Sequence, residues 1–168
     1  MHIAVHIWLP TKKRVGHASL SLIATKGFTL DYLSFWPHSL EKGAKVTDIV
    51  TRKHKLSDFM PSLADDRASE KGRDDWNIPI PVDNFDVMAL SKFIDDIKSR
   101  HPKYHLTKYN CSSVVAEALH EASGIKPSFK PTASGYGRLA KMFGRGIWTP
   151  VSLKKYAEEL SRPRADAV

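Results

Sequence analysis

Apolar and polar positions first alternate along the chain and later turn helical. Residues 3–9 are rich in β-formers, and Pro10-Thr11-Lys12-Lys13-Arg14 makes a polar connection out of them. The next segment alternates strictly: Ala18, Leu20 and Leu22 face one way, and His17, Ser19 and Ser21 the other. The small side chains beside His17 predict that a helix packs closely on its face. A turn at Thr25-Lys26-Gly27 brings residues 28–36 back antiparallel, closed by Pro37, which folds His17 opposite residues 34–36. From 38 to 75 the pattern degrades, with Gly43, Pro61 and Gly72 as breakers and only short apolar patches at 46–50 and 56–60. A stretch of this length in a compact domain predicts a mobile or partly helical insertion with one or two short helices.

Residues 76–82 resume an extended pattern in which Pro79 and Pro81 point to a sheet edge. Asp83 is expected to cap an amphipathic helix with Val87, Leu90, Ile94 and Ile97 inward, widened by Phe93 and ending before Pro102. Asn110 is an N-cap for a second helix, whose buried face is Val114, Val115, Ala118, Leu119 and Ala122, and Gly124 closes it. Residues 134–143 predict a short helix closed by Gly144, and residues 147–148 a further strand. Thr149-Pro150 opens a last helix with Leu153, Tyr156, Ala157 and Leu160 inward. A frayed tail over 162–168 completes one α+β domain, an antiparallel sheet packed against helices.

A chain of 168 residues can bury a real core. Its single cysteine excludes an intramolecular disulfide and a multi-cysteine zinc cluster, so packing must stabilise it, and a reducing compartment suits its synthesis. No apolar run is long enough to span a bilayer, and the first residues lack signal-peptide features, so cytoplasmic synthesis is expected, with any export left to a dedicated machine. The net charge of +8 is uneven: residues 1–30 hold four basic and no acidic side chains, 31–123 thirteen against fifteen, and 124–168 nine against three. Basic ends of this kind favour an anionic membrane surface or an acidic protein target, or serve solubility alone. No nucleic-acid-binding motif accompanies them.

The candidate chemistry centres on Cys111, placed by the pattern in the first turn of the Asn110-capped helix. Unpaired backbone N–H groups and the positive end of the helix dipole there favour thiolate over thiol, and can bind the oxyanion formed when a thiolate attacks an acyl carbon. A free cysteine is more often an inert buried residue, so a partner that exchanges its proton is needed to separate the two readings. Of eight histidines, His120 is half a turn out of phase with Cys111; His38, His54, His101 and His105 fall in loops; His2 and His6 share a strand face and form at most a weak metal pair. His17 stands apart, opening a strand behind Gly16. Neither a cofactor nor a metal is expected.

Asn110-Cys111-Ser112-Ser113-Val114-Val115 resembles the cysteine motif of NlpC-type peptidases and other papain-like enzymes. Gly16-His17-Ala18-Ser19-Leu20-Ser21-Leu22 resembles their histidine strand. Histidine before cysteine is the order of the circularly permuted branch, which holds lecithin-retinol-acyltransferase-like proteins, permuted amidases and the lysine fatty-acyltransferase domains of bacterial toxins and effectors. Tyr32-Leu33-Ser34-Phe35-Trp36-Pro37 after the histidine strand is most similar to the last of these, including the Rho-inactivation type. The resemblance covers about a third of the chain. It implies a permuted papain-like fold and acyl transfer through a thioester, with Cys111 as nucleophile, His17 as general base and acid, and an acyl-donor, peptide or amide substrate. For the group that orients His17, the hairpin register favours Ser34, a departure from the family's usual His, Asn or Asp. Asp31 is the chemically stronger alternative, and Asp74 and Asp75 remain open. A peptidoglycan amidase of the same fold and a non-catalytic basic binding module are the rival readings.

Overall fold

The computed structural model of the chain describes residues 1–12, 14–37, 56–83, 85–133 and 144–162. Five strands form one antiparallel sheet: β1 (His2–Trp8), β2 (His17–Ile23), β3 (Thr29–Pro37), β4 (Ser57–Phe59) and β5 (Trp76–Pro81), ordered β4-β3-β2-β1-β5. The described helices are α1 (Leu63–Ser69), α2 (Val87–Arg100), α3 (Cys111–Ser123) and α4 (Pro150–Ser161). The chain is therefore α+β, as its alternation predicts. β5 lies at the sheet edge, where its two prolines remove no hydrogen bond from an inner ladder.

The two faces of the sheet differ in chemistry. Ile3, Val5 and Ile7 of β1 stand opposite Leu22, Leu20 and Ala18 of β2, and Leu20 pairs with Leu33 of β3, which makes one face aliphatic. Helices α2, α3 and α4 cover it, burying Ile94, Val114, Val115, Leu119, Leu153 and Tyr156 in the same core. Each large apolar side chain so buried contributes about 1.5–3 kcal/mol. The other face carries His6, His17, Ser19, Ser21 and Ser34, all buried, beneath α1 and the residues that follow it.

A helix does pack on the serine face of β2, but it is α1 and not the cysteine helix, which lies on the aliphatic face. Buried hydroxyls and imidazoles need hydrogen-bonding partners, which the aliphatic side of α3 lacks and the acidic residues on and after α1 supply. Over 56–75 the expected partly helical insertion contains α1, but also β4, whose short run gave no strand signal. β4 pairs with residues 35–37 of β3, and the Met60 N–H reaches the Ser34 carbonyl at 3.1 Å. Pro61 ends the ladder because it has no N–H, and Ser62 then caps α1 by accepting the Asp65 N–H at 3.3 Å.

Two further expectations shift. α2 starts a turn later than Asp83: the Phe85 N–H closes a turn onto Val82, and the Asp86 carboxylate accepts the Ala89 N–H at 2.9 Å as the true cap. Residues 147–148 form no strand. A single bridge joins Thr132 to Arg145, and Trp148 packs instead on Phe129 and Tyr156. The helix expected over 134–143, residues 38–55 of the insertion and residues 163–168 of the tail lie outside the described residues. Among the described residues no helix is long and apolar enough to cross a membrane.

Gly16 sets the entry into β2. Its φ of +86° lies in the left-handed region, and a Cβ there would stand 2.7 Å from the Trp8 carbonyl oxygen and 2.9 Å from the Pro10 nitrogen, both backbone atoms. Gly16→Ala is expected to destabilise the fold by about 2 kcal/mol or more, from strain and clash together. The midpoint of urea unfolding measures this, and a wild-type midpoint would contradict it.

Candidate active site

The start of α3 is built by its cap. The Asn110 side-chain carbonyl accepts the Ser113 N–H at 3.0 Å, and the Ser113 hydroxyl accepts the Asn110 N–H at 2.8 Å, a reciprocal capping box. The amide nitrogen of Asn110 donates to the carbonyls of Leu106 (2.7 Å) and Trp148 (3.0 Å), which ties the helix start to two loops. Cys111 is the first helical residue, at the positive end of the dipole.

His17 and Cys111 come from opposite faces of the sheet and meet at its end. The β2–β3 ladder runs from Ile23↔Thr29 to Ser19↔Ser34 and stops there, because β3 continues alongside β4. The Ser34 carbonyl points to the β4 side, toward Met60. Alternation therefore aims the Ala18 N–H at the β3 side of β2, just past the last rung, where it favours the Cys111 thiolate. The same sulfur lies beside the His17 ring, and each group favours the charged form of the other. The imidazole lies between the rings of Trp8 and Trp36, at centroid distances of 5.5 and 4.3 Å. Its Nε2 is 3.0 Å from Ser34 Oγ and 3.1 Å from Asp66 Oδ2, which leaves Nδ1 for the sulfur.

Asp66, on α1, is wholly buried and held by donors on both oxygens. Tyr32 donates its O–H to Oδ2 (2.5 Å) beside His17; Ser34 Oγ–H (2.8 Å) and Trp36 Nε1–H (2.9 Å) reach Oδ1. Burial disfavours charge on every member of this row, and contacts overcome it in each. On His17 burial is outweighed by the Cys111 sulfur and by Asp66, raising its pKa to about 10. On Cys111 burial is outweighed by the His17 ring, then by the Ala18 N–H and Ser112, holding the thiol below its ordinary range. On Asp66 burial is outweighed by His17, then by Tyr32 and Ser34, lowering its pKa to about 2. All three shifts favour the charged form: thiolate, imidazolium and carboxylate.

Of the residues singled out from sequence, the structure brings Cys111, His17 and Ser34 together. Asp31 is elsewhere. It shares strand parity with Leu33 and Phe35, so it faces α2, where it accepts the Ser91 hydroxyl at 2.6 Å. Asp74 accepts from His6 and Arg67, and Asp75 from the Leu9 N–H and Arg14. His101, His105 and His120 contact Phe59, Thr107 and the Ile125 carbonyl. His6 has both ring nitrogens engaged, by Asp74 and Ser21, so it is not available to pair with His2 on a metal.

Comparison of the chain with protein-family models, with curated proteins and with solved structures found no match. The geometry of the row must therefore carry the functional argument. Asp66 is the member that sequence reasoning missed. Its signal was the run Pro61-Ser62-Leu63-Ala64-Asp65, a helix start with an acidic residue at its third position, which would have placed Asp66 on a helix.

The charge row has two measurable consequences. With one cysteine in the chain, the far-ultraviolet thiolate absorbance reports Cys111 alone: it is expected at neutral pH in the wild type and absent in His17→Ala. Asp66, depressed from 3.8 to about 2, stabilises the fold above its ordinary value, and that contribution, on the order of 2 kcal/mol, is lost as pH falls toward 2. Urea midpoints between about pH 5 and about pH 2 should fall less steeply in Asp66→Asn than in the wild type.

Proposed function

We propose that the chain is a cysteine-dependent acyl-transfer enzyme, a hydrolase or acyltransferase, working through a thioester on Cys111. One observation carries this reading: a lone cysteine at a helix N-terminus lies beside an imidazole whose Nε2 is held by a buried carboxylate. A structural cysteine needs neither partner, whereas a nucleophile needs the imidazole and gains from a carboxylate that orients it. The Cys111 thiolate attacks the carbonyl carbon of an amide, ester or thioester, and the C–S bond forms as the carbonyl π pair moves onto oxygen. The Cys111 and Ser112 N–H groups, ahead of the first helical acceptor, face the developing oxyanion. Collapse breaks the bond to the leaving group, which takes its proton from His17. Water or an amine then attacks the thioester, His17 removes its proton, and the thiolate leaves.

Asp66 keeps His17 oriented and charged, and Ser34 shares the Nε2 proton with it, so Asp66 takes the orienting role with Ser34 as its helper. The order of a histidine strand before a cysteine helix, with an antiparallel sheet between, supports the circularly permuted papain-like arrangement and, within it, the toxin and effector acyltransferases. A bacterial effector acting on a host or competitor target fits that placement, and the basic ends of the chain suit an anionic membrane or an acidic protein as the place of action.

Intact mass spectrometry after incubation with acyl-thioesters, peptides and cell-wall fragments tests the reading. A covalent acyl adduct on wild-type protein that is missing from both Cys111→Ala and His17→Ala is expected, and no adduct with any of the three substrate classes would defeat the proposal. With the substrate that reacts, each of those two variants should lose about 10³-fold or more in kcat/KM, and Asp66→Asn on the order of 10². The rate should hold level through neutral pH and fall on the alkaline side as His17, raised to about 10, gives up its proton.

A further inference from the structure

A second histidine–carboxylate chain lies on the same face of the sheet as the first. His6 of β1 is buried; its Nδ1 is 3.0 Å from Asp74 Oδ2, and its Nε2 is 2.9 Å from the buried Ser21 hydroxyl of β2. Asp74 Oδ1 in turn accepts Arg67 through Nη2 at 2.7 Å and Nε at 3.1 Å. Burial lowers the pKa of His6, so the neutral ring donates from Nδ1 to Asp74 and accepts the Ser21 O–H at Nε2. The pattern matches that of a serine nucleophile with its base and acid, but Ser21 sits mid-strand between Ala4 of β1 and Tyr32 of β3, where the ladders take up the backbone N–H groups and leave none to hold an oxyanion. Its use must be sought in what it fastens.

It fastens α1. This helix has seven residues, too few to be stable alone, and among the described residues none of its side chains belongs to the apolar core. Asp66 is its buried residue, and one buried attachment leaves a short helix free to pivot. Arg67, the next residue, provides a second attachment through Asp74 and His6 to Ser21, which stands on the same strand and strand face as His17, four residues along. The two attachments hold α1 across the polar face of β2 at two points.

We propose that Arg67, Asp74 and His6 are positioning residues that hold α1 in the place where the Asp66 carboxylate meets His17 Nε2. The inference deepens the acyl-transfer reading, but its test needs no turnover. In the Cys111→Ala protein the sulfur is gone, and the His17 ring titrates under the influence of Asp66, so its midpoint, read by NMR, reports how well the carboxylate is placed. Arg67→Gln removes the attachment at a side chain 38% exposed, without burying a new charge. The expected result is a His17 midpoint lower by about one unit, the small end of what an adjacent opposite charge confers. Arg67→Lys should recover part of the shift. Ile97→Val, which loosens the core on the far side of the sheet, should leave the midpoint alone. Asp74→Asn repeats the measurement from the other end of the same contact. A folded Arg67→Gln or Asp74→Asn protein with an unchanged midpoint would overturn the proposal, as would an equal shift in Ile97→Val. Because the background lacks the nucleophile, this outcome is separate from whether Cys111 forms an acyl adduct.

Discussion

A carboxylate with no exposure to solvent is the constraint to which the polar half of this molecule answers. Leaving Asp66 charged and unpartnered in the interior would cost several kcal/mol, more than any one apolar contact returns. Four donors surround it instead, from His17, Tyr32, Ser34 and Trp36. Three of them lie on β3 and one on β2, so the carboxylate also fixes how those strands present their outward faces. The histidine it charges is the one that meets the cysteine. The same atoms thus meet a stability requirement and the catalytic one proposed for Cys111.

The sheet separates two kinds of packing. On one side α2, α3 and α4 bury aliphatic side chains, and that side supplies the bulk of the driving force. On the other, a seven-residue helix is held by hydrogen bonds and ion pairs with little apolar burial. Cys111 belongs to the first side and Asp66 to the second, and they share His17 because β2 and β3 part at the end of their ladder. A cleft of about 310 Å³ between Leu30 and Tyr32 of β3 and residues 61–63 borders the polar layer through Tyr32, but neither Cys111 nor His17 lines it.

Much of this was legible in the residues. β-Rich composition placed the first strand, alternation the second, and the turn at 25–27 the antiparallel third; the Asn110 cap placed Cys111 in a first turn; Gly124 and Pro150 marked helix ends; and the hairpin register brought His17 to Ser34. Asp31 failed as a partner by strand parity, since one residue's difference turns a side chain to the opposite face. The small-residue face of β2 pointed to a helix there, and the need of buried serines and histidines for partners decided that it is α1. Asp66 escaped notice because, although the Ser62 cap marks the start of its helix, the segment has no periodic apolar pattern to say which way that helix faces.

By itself the sequence determined what local physics can specify: strand alternation, helix caps, the glycine at the entry to β2, and the presence of a lone cysteine where a helix begins. Only the tertiary structure decided which carboxylate charges the histidine, and that the cysteine reaches that histidine around the end of a ladder. The physical reason is that alternation and capping act over a few neighbouring residues, whereas the satisfaction of a buried charge is settled among groups dozens of residues apart, once the sheet has brought them together.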